Sequence, residues 1–299
     1  MTIPRGLLPP RRPDTHKGDV GRVLILAGSP GLTGAAALCS LGALRAGAGL
    51  VTLGIPASLQ DLMALKLTEI MTHAFAQTRA RTLSLRALPA LLKAIDQSDV
   101  LAIGPGLSQE SQTQRLVARL LPRVRKPSVI DADALNALAN HRRALSQLPP
   151  RMILTPHPGE MARLLRASSE SIQRNRERVA RTFAREYGVT LVLKGFRTIV
   201  ADPRGAIYMN NTGNPGMASG GSGDVLTGVI AGLLGQSLST FDAARLGVYL
   251  HGLAGDLAAA QRGQVGLIAG DLLATIPAAI RQYQQGSHAK NRSGSQRRG

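Results

Sequence analysis

The sequence predicts an α/β fold of three layers, in which helices cover both faces of a mostly parallel central sheet. Its 299 residues suit one large domain, and the 44% that are apolar supply a substantial core. Short apolar stretches typical of buried strands alternate along the chain with helical patterns. This alternation is typical of a doubly wound sheet whose parallel strands are joined by crossover helices.

The predicted elements follow one another in a regular order. Buried parallel strands are predicted at 23–29, 100–106, 128–134, 152–160 and 190–195. Helical patterns between them cover 34–47, 59–67, 86–96, 110–121, 159–166 and 170–187. A short strand, TIVAD, comes next, and the predicted C-terminal helices are 222–234, 240–260 and 270–284. We therefore expect an N-terminal extension at 1–15, one catalytic domain at 16–285, and a basic, disordered tail at 286–299.

Composition limits the classes of protein that this chain can represent. No apolar run reaches the roughly 18 residues of a membrane span, and the N-terminus lacks signal-peptide features, so we expect a cytoplasmic protein. Cys39 is the only cysteine, and its apolar helical setting predicts burial without a disulfide. The net charge of +18 suggests anionic partners, but basic residues are scattered and aromatic residues make up only 3%. Nucleic-acid binding is therefore not favoured.

Glycine or polar residues stand at the carboxyl end of every one of the five predicted strands. In an open α/β sheet, ligands bind outside the carboxyl ends of the strands, and these ends meet at one edge. We therefore expect the segments that follow the strands to form a single binding site. They are Gly28-Ser29, Gly104-Pro105-Gly106, Asp131-Ala132-Asp133, His157-Pro158-Gly159-Glu160 and Lys194-Gly195.

The segment GNPGMASGGSGDVLTG at 213–228 carries the strongest local signal for chemistry. Its glycines allow backbone N–H groups to crowd around an anion, and the helix predicted to begin there adds its unpaired N–H groups and positive dipole end. Asp224 is an unusual residue inside such an anion site unless it takes a proton from a hydroxyl group. The alternative is a glycine-rich turn with an aspartate cap.

The remaining motifs each leave two interpretations open. His157 could contact a ligand or cap its own loop, and Asp131 and Asp133 could orient a metal-bound water or cap the helix that follows. Lys194-Gly195 with Thr198 could grip a nucleotide, although this spacing is also common in hairpins. Gly104-Pro105-Gly106 suits either close approach to a ligand or a plain turn. A P-loop, a dinucleotide-binding GxGxxG and a GxSxG nucleophile elbow are absent from the sequence.

Taken together, the chain resembles the ribokinase-like superfamily, and within it the ADP/ATP-dependent NAD(P)H-hydrate dehydratase family. The resemblance runs from about His16 to residue 284. Sugar and vitamin kinases share the GSGD signature but lack the first and fifth of the segments that carry the resemblance. These segments are HKGDVGRVLILAGSPGLTGAA, RAGAGLVT, IGPGLS, DADALNAL, LTPHPGEMARLL, LKGFRTIV and NTGNPGMASGGSGDVLTGVIAGLL.

The resemblance implies a repair reaction on NADH-hydrate and NADPH-hydrate, in which a nucleotide phosphorylates the ring hydroxyl and phosphate is then eliminated. Asp224 would be the general base. The hydrate would contact Ala35 or Ala36, Gly106, Asp224 and the run His157, Pro158, Gly159, Glu160 and Arg163. The nucleotide would bind to Lys194, Gly195, Phe196, Arg197, Thr198, Asn214, Gly220, Gly221, Ser222 and Gly223.

The resemblance also implies cofactors and partners. ADP is the expected phosphoryl donor, giving AMP and phosphate, with ATP as the alternative. Mg²⁺ is expected to be held by nucleotide oxygens and water, so no protein ligand is assigned. Relatives form tetramers or larger assemblies, which implies a homo-oligomer. Because many relatives carry a fused epimerase domain that this chain is too short to include, we expect action on the S-epimer and a separate epimerase.

One departure and two alternative functions complete the predictions. The family often has GPGLG where this chain has GPGLS, so Ser108 is expected to alter the turn after Gly106 slightly. The first alternative is a vitamin-precursor kinase of the same fold, which would release a stable phosphate ester. The second is a nucleic-acid-binding protein on an inactive kinase scaffold, which the intact GSGD segment argues against.

Overall fold

One nine-stranded sheet forms the centre of the molecule. This computed structural model describes residues 3, 6–8 and 10–295, with side chains through residue 285. The strands are β1 Arg22–Leu26, β2 Leu50–Pro56, β3 Met71–Phe75, β4 Val100–Ile103, β5 Ser128–Ile130, β6 Met152–Leu154, β7 Thr190–Leu193, β8 Ile199–Ala201 and β9 Ile207–Met209. Their order across the sheet is β3-β2-β1-β4-β5-β6-β7-β8-β9. Neighbours from β3 to β7 are parallel, and β8 and β9 add an antiparallel edge.

Helices cover the two faces of this sheet. The described helices are α1 Thr33–Arg45, α2 Gln60–Lys66, α3 Leu88–Asp96, α4 Ser111–Leu120, α5 Ala132–Asn140, α6 Arg142–Leu145, α7 Pro158–Leu165, α8 Ser169–Arg174, α9 Arg176–Tyr187, α10 Ser222–Gly235, α11 Thr240–Arg262 and α12 Ala269–Ser295. One core contains Val23 and Ile25 of β1 with α1, α2, α10, α11 and α12. The other contains Leu24 and Leu26 of the same strand with α3 to α9. Alternate strand residues therefore point into opposite cores, which confirms the predicted three-layer fold.

The predictions included the central strands β1 and β4 to β7 but missed three strands nearer the two sides of the sheet. Each of the five predicted strands exists, although the structure ends every one of them earlier than predicted, at Leu26, Ile103, Ile130, Leu154 and Leu193. Strands β2, β3 and β9 were missed. Gly54 and Pro56 weaken the strand pattern of β2, whereas β3 is an edge strand whose residues are mostly exposed or half-buried.

Two helix predictions also differ from the structure. The single helix predicted at 170–187 is divided into α8 and α9, because Asn175 adopts φ −131° and ψ 32°, outside the helical region. The helix predicted at 270–284 instead continues to Ser295, into the segment for which a disordered tail was predicted. Elongating an existing helix is easier than nucleating a new one. Residues 296–299 lie outside the described residues.

The N-terminal extension contacts the main body at the points that the structure describes. The side chain of Leu8 is buried in the core that contains α12. The backbone N–H of Leu7 donates to the hydroxyl of Tyr283 on α12, at 3.1 Å. Across the described residues, none of the helices combines the length and the apolar character needed to traverse a membrane.

Helices α1 and α10 cross at unusually close range, with glycines at the point of contact. A Cβ atom at Gly228 of α10 would lie 2.0 Å from the backbone oxygen of Cys39 on α1, and one at Gly42 would lie 2.7 Å from that of Val225. Cys39 itself is fully buried, as predicted. Glycine is therefore required at this crossing so that α10 can lie directly against α1.

Replacing Gly228 with alanine should force α1 and α10 apart and lower the free energy of unfolding by about 1–3 kcal/mol. Gly34→Ala is the matched control, because the described structure leaves open space for a Cβ at this helical glycine. The control should gain up to about 1 kcal/mol from helix propensity. Chemical denaturation measures both changes, and equal effects would contradict the close-crossing explanation.

Candidate functional site

The segments that follow the central strands meet at one edge of the sheet, as predicted. The backbone N–H of Gly28, after β1, donates to the carbonyl of Pro105, after β4, at 2.9 Å. The N–H of Lys194, after β7, donates to the carbonyl of Pro156, after β6, also at 2.9 Å. A Cβ at Gly104 would overlap the backbone oxygen of Asp131. Backbone contacts therefore join neighbouring strand ends into one continuous surface.

A buried carboxylate lies at the centre of this surface. The side chain of Asp131, which follows β5, is only 2% exposed and accepts three hydrogen bonds. Lys194 Nζ and Thr155 Oγ1 each donate to its Oδ1 at 2.7 Å, and Thr227 Oγ1 donates to its Oδ2 at 2.8 Å. Asp131 occupies the N-cap position of α5 but makes no cap hydrogen bond with its side chain. The alternative that Asp131 caps this helix is therefore wrong.

Lys194 is surrounded by acidic groups. Its ammonium nitrogen lies 2.7 Å from Oδ1 of Asp131 and 3.7 Å from Oε2 of the buried Glu160. Burial alone would lower the pKa of Lys194, but the charges of Asp131, Glu160 and Asp224 outweigh it and raise the pKa above its usual value. The side chain therefore carries a full positive charge within the site.

Asp224 lies in the first turn of α10, beside this charge cluster. Burial raises its pKa to about 6, and Asp131, Asp133 and Glu160 add to the effect, whereas Lys194 opposes it. Among the described residues, none donates a hydrogen bond to its carboxylate. The pKa of Asp224 is therefore close to neutral pH, and its carboxylate is free to accept a proton.

Backbone geometry opens the N-terminus of α10 to a ligand. Gly221, at its N-cap, adopts φ +91°, a left-handed conformation that favours glycine. Among described atoms, nothing lies within 4 Å of a Cβ built on Gly220, and the nearest to one on Gly223 is Lys194 Nζ at 3.5 Å. Unpaired N–H groups, a helix dipole and a lysine thus converge here, as an anion site requires.

His251, for which sequence analysis predicted no role, supports the start of α10. This residue of α11 is buried, and its Nε2 lies 2.9 Å from the backbone oxygen of Ser222. Burial lowers the pKa of His251 to about 4, so the ring is neutral at physiological pH and donates from Nε2 to this carbonyl. No local sequence pattern could have linked these two positions, which are far apart in the chain.

His157 adopts the capping geometry that was one of its two interpretations. Its Nδ1 accepts hydrogen bonds from the N–H groups of Gly159 and Glu160, at 3.0 and 3.3 Å. Oε2 of Glu160 accepts in return from the N–H of His157, at 2.8 Å, which completes a capping box at the start of α7. Half of the His157 side chain is exposed, so its ring edge also faces the surface of the site.

A polar network connects Arg163 to the turn that follows β4. Arg163 Nε donates to Asn136 Oδ1, Asn136 Nδ2 donates to Asp133 Oδ1, and the N–H of Ser108 donates to Asp133 Oδ2. Asp133 is thus held by the turn and its own helix. Ser108 adopts φ +76°, a conformation that favours glycine. This explains why a glycine suits the position in GPGLG.

The substrate residues predicted on α1 lie next to the glycines of the strand ends. A Cβ at Gly106 would lie 3.2 Å from Cβ of Ala35, and one at Gly28 would lie 3.0 Å from Cβ of Ala36. The start of α1 therefore borders the turn after β4. Ala36 is fully buried, whereas Ala35 is half-buried, so that of the two predicted contacts only Ala35 is accessible to a ligand.

The predicted nucleotide residues form two separate supports. Thr198 Oγ1 donates to the carbonyl of Gly195 at 3.0 Å, which closes the loop after β7. Phe196, in this loop, is 85% exposed, and the Arg197 guanidinium lies 5.5 Å from the centre of its ring. Asn214 Oδ1 accepts from the N–H of Gly216, and its Nδ2 donates to Asp256 Oδ1 at 3.0 Å.

The acidic residues of the site are not arranged as a metal cage. Within the part of the chain that the structure describes, no three His, Cys, Asp or Glu side chains are close enough together to hold a metal ion. The carboxylate of Asp131 is already occupied by three hydrogen-bond donors. These side chains do not fit a dedicated Mg²⁺ site, so no chemical step is assigned here to a protein-bound metal.

Comparison with known proteins places this geometry in a family. The family model for NAD(P)H-hydrate dehydratase matches residues 23–278. The chain belongs to this family. The match includes Asp224, the buried cluster around Asp131 and both supports predicted for the nucleotide.

Named relatives of this dehydratase family are longer proteins. The chain is 54% identical over 281 residues to the bifunctional NAD(P)H-hydrate repair enzyme Nnr of Moorella thermoacetica, covering 94% of this chain and 53% of that protein. It is 41% identical over 275 residues to the protein of the same name from Escherichia coli, covering 90% of this chain and 49% of that protein. The chain thus spans about half the length of the curated relatives that it matches.

Solved structures share the fold along nearly their whole length. An ADP/ATP-dependent NAD(P)H-hydrate dehydratase from Bacillus subtilis, co-crystallised with ATP/Mg²⁺, matches with TM-score 0.79 and 31% identity, covering 95% of this chain and 99% of that one. A ribokinase-like protein from Enterococcus faecalis matches with TM-score 0.80 and 28% identity, covering 93% of both chains. A hydroxyethylthiazole kinase from Pyrococcus horikoshii, at 17% identity, TM-score 0.62 and coverage of 89% and 93%, shows likeness of fold alone.

Removing the Lys194 charge should destabilise the protein strongly. In Lys194→Met the buried carboxylate of Asp131 loses its cationic partner, which should lower the free energy of unfolding by about 3–5 kcal/mol. Lys93→Met, at an exposed position, is the control and should change it by no more than about 0.5 kcal/mol. Denaturant titration measures both, and a small effect at Lys194 would show that this ion pair contributes little to stability.

Proposed function

We propose that this chain catalyses the nucleotide-dependent dehydration of NADH-hydrate and NADPH-hydrate, which restores NADH and NADPH. The observation that carries the proposal is the Asp224 carboxylate, with its pKa raised to about 6, beside the open N-terminus of α10. A base and an anion site are thus adjacent. This pairing suits transfer of a phosphoryl group to a hydroxyl, and membership of the dehydratase family supports the substrate.

The chemistry turns a poor leaving group into a good one. The carboxylate of Asp224 accepts the proton of the ring hydroxyl as that oxygen forms a bond to the terminal phosphorus of the nucleotide, whose bridging P–O bond breaks. The C–O bond to the new phosphate then breaks as the neighbouring ring nitrogen donates its electron pair. Loss of a proton from the adjacent ring carbon restores the dihydronicotinamide.

Charges on the chain would stabilise the transferring group. The N–H groups at Gly221–Gly223 and the dipole of α10 would interact with the phosphoryl oxygens. Lys194, fixed 2.7 Å from Asp131, adds a positive charge beside Gly223. Mg²⁺, when bound, would neutralise phosphate charge through nucleotide oxygens and water, a role suggested by the ATP/Mg²⁺ complex of the Bacillus subtilis relative.

The proposal assigns the ligands to the two sides of Asp224. The nucleotide would bind to 194–198, Asn214 and 220–223, and the hydrate to Ala35 or Ala36, Gly106 and the run from His157 to Arg163. We further propose ADP as donor, with AMP and phosphate as products, and action on the S-epimer. A separate epimerase, a homotetramer and a cytoplasmic location remain predictions.

Recovery of reduced-nicotinamide absorbance tests the function directly. Purified protein with Mg²⁺ is added to NADH-hydrate, with ADP, ATP or no nucleotide in parallel, and free phosphate is measured. Recovery that requires a nucleotide and releases phosphate in equal amount supports the proposal. A stable phosphate ester on a vitamin-type alcohol, without recovery of NADH, would instead indicate a small-molecule kinase.

Asp224→Asn should reduce kcat by about 10²–10⁴-fold, because the amide cannot accept the hydroxyl proton. Nucleotide affinity should be retained, since the backbone groups and Lys194 are unchanged. Asp61→Asn, at an exposed carboxylate of α2, is the control for the loss of one negative charge. Turnover by Asp224→Asn at the wild-type rate would exclude the general-base role.

The rate should fall at acidic pH because only the deprotonated form of Asp224 can act as a base. With its pKa raised to about 6, kcat/KM for the hydrate should be constant above about pH 7 and decline about tenfold per unit well below pH 6. Initial rates from pH 5 to 8 at saturating ADP, corrected for spontaneous decay of NADH, provide the profile. A plateau that extends down to pH 5 would place the essential base elsewhere.

A further inference from the structure

Arg176 makes a set of contacts that neither the proposed mechanism nor the predicted site uses. It is the first residue of α9, and its guanidinium reaches the loop that follows β7. One terminal nitrogen, Nη2, donates to the carbonyls of Leu193 and Lys194, at 3.1 and 3.3 Å. The other, Nη1, donates to the carbonyl of Phe196. A single side chain thus holds three carbonyls within four consecutive residues.

The position of Arg176 at the start of α9 is electrostatically unfavourable. A cation at the first position of a helix faces the positive end of the helix dipole, where an acidic residue would be more stable. Within the described part of the chain, no carboxylate forms an ion pair with it. Its Nε is buried without a hydrogen-bond partner, and burial lowers the pKa of the guanidinium. Violations of local preference of this kind concentrate at functional sites.

The contacts fix the direction of the loop's N–H groups. In a trans peptide, the carbonyl of one residue and the N–H of the next point in opposite directions. Because the carbonyls of Lys194 and Phe196 face Arg176, the N–H groups of Gly195 and Arg197 point away from it. Among the described residues, neither N–H has a hydrogen-bond partner, whereas the N–H of Lys194 is used by Pro156.

The glycine of the loop accommodates this arrangement. Gly195 adopts φ +134°, and a Cβ there would lie 3.1 Å from Nη2 of Arg176. Any larger residue would be strained and would crowd the guanidinium. Gly195 and Arg176 therefore form a matched pair that sets the shape of the loop.

We propose that Arg176 is a positioning residue for the nucleotide. It holds the carbonyls of the loop on one side and presents the N–H groups of Gly195 and Arg197, on the other, to acceptor atoms of the nucleotide. Arg176 does not touch the ligand in this arrangement. The inference rests on the proposed function, which assigns the nucleotide to this loop.

Three variants separate this role from a general effect of charge. Arg176→Met removes every donor, and Arg176→Lys keeps the charge but cannot hold three carbonyls with the same planar fork. Arg178→Met is the matched control, since Arg178 lies on the same helix, is exposed, and makes no hydrogen bond or ion pair with a described group. Amide hydrogen exchange across 194–198 in the ligand-free protein, ADP affinity by calorimetry, and KM values for ADP and for NADH-hydrate are measured for each.

A positioning role for Arg176 predicts a specific combination of results. Arg176→Met should exchange faster at 194–198 and should bind ADP about tenfold or more weakly, equivalent to loss of one or two charged hydrogen bonds. KM for the hydrate should stay within about twofold, Arg176→Lys should be intermediate, and Arg178→Met should match the wild type.

Two results would overturn the inference, and they are distinguishable from failure of the proposed function. Unchanged exchange at 194–198 in a folded Arg176→Met protein would show that Arg176 does not organise the loop. Faster exchange with unchanged ADP affinity would show that the organised loop does not serve the nucleotide. Failure of the wild-type protein to bind ADP or ATP would instead refute the proposed function, and with it the assignment of this loop to a nucleotide.

Discussion

The buried carboxylate of Asp131 is the interaction on which the arrangement of the site depends. Its three donors come from the ends of two strands and from α10, so that one side chain joins β5, β6, β7 and the helix that carries Asp224. A buried charge must be fully compensated by hydrogen bonds and an opposite charge. Asp131 therefore constrains Lys194, Thr155 and Thr227 to single positions, and the N-terminus of α10 is fixed against the sheet edge.

The same constraint creates the chemistry of Asp224. Lys194 is shared between Asp131 and Glu160, so its charge cannot fully compensate a third carboxylate nearby. No residue in the described part of the chain donates to Asp224, and burial with its like-charged neighbours raises its pKa to about 6. A network that satisfies one carboxylate completely thus leaves another poised to accept a proton. Close crossing of α1 and α10 at Gly42 and Gly228 places this second carboxylate at the edge where ligands bind.

Much of the fold and the site could be predicted because the signals are local. Apolar runs with polar ends marked the central strands, and the rule that ligands bind at carboxyl ends brought together residues as distant as Gly106 and Lys194. Strands β2, β3 and β9 lacked such signals, since glycine and proline interrupt the pattern of β2, most residues of the edge strand β3 are exposed or half-buried, and the edge strand β9 has only three residues. His157 was correctly described as a possible cap, whereas the Asp131 side chain makes no cap hydrogen bond, because its donors come from the segments after β6 and β7 and from α10.

The sequence by itself determined the α/β class, the converging strand ends, the glycine-bounded helix start and the acid within it, because each depends on residues close together in the chain. Only the tertiary structure decided which polar groups pair. Thr155, Thr227, His251 and Arg176 carry no motif, and each acts by a hydrogen bond to a group that is distant in the sequence. The partners that each carboxylate has, rather than its residue type, distinguish the two acids: Asp131 accepts three hydrogen bonds, whereas no described residue donates to Asp224, whose pKa is raised to about 6 by burial and by its acidic neighbours.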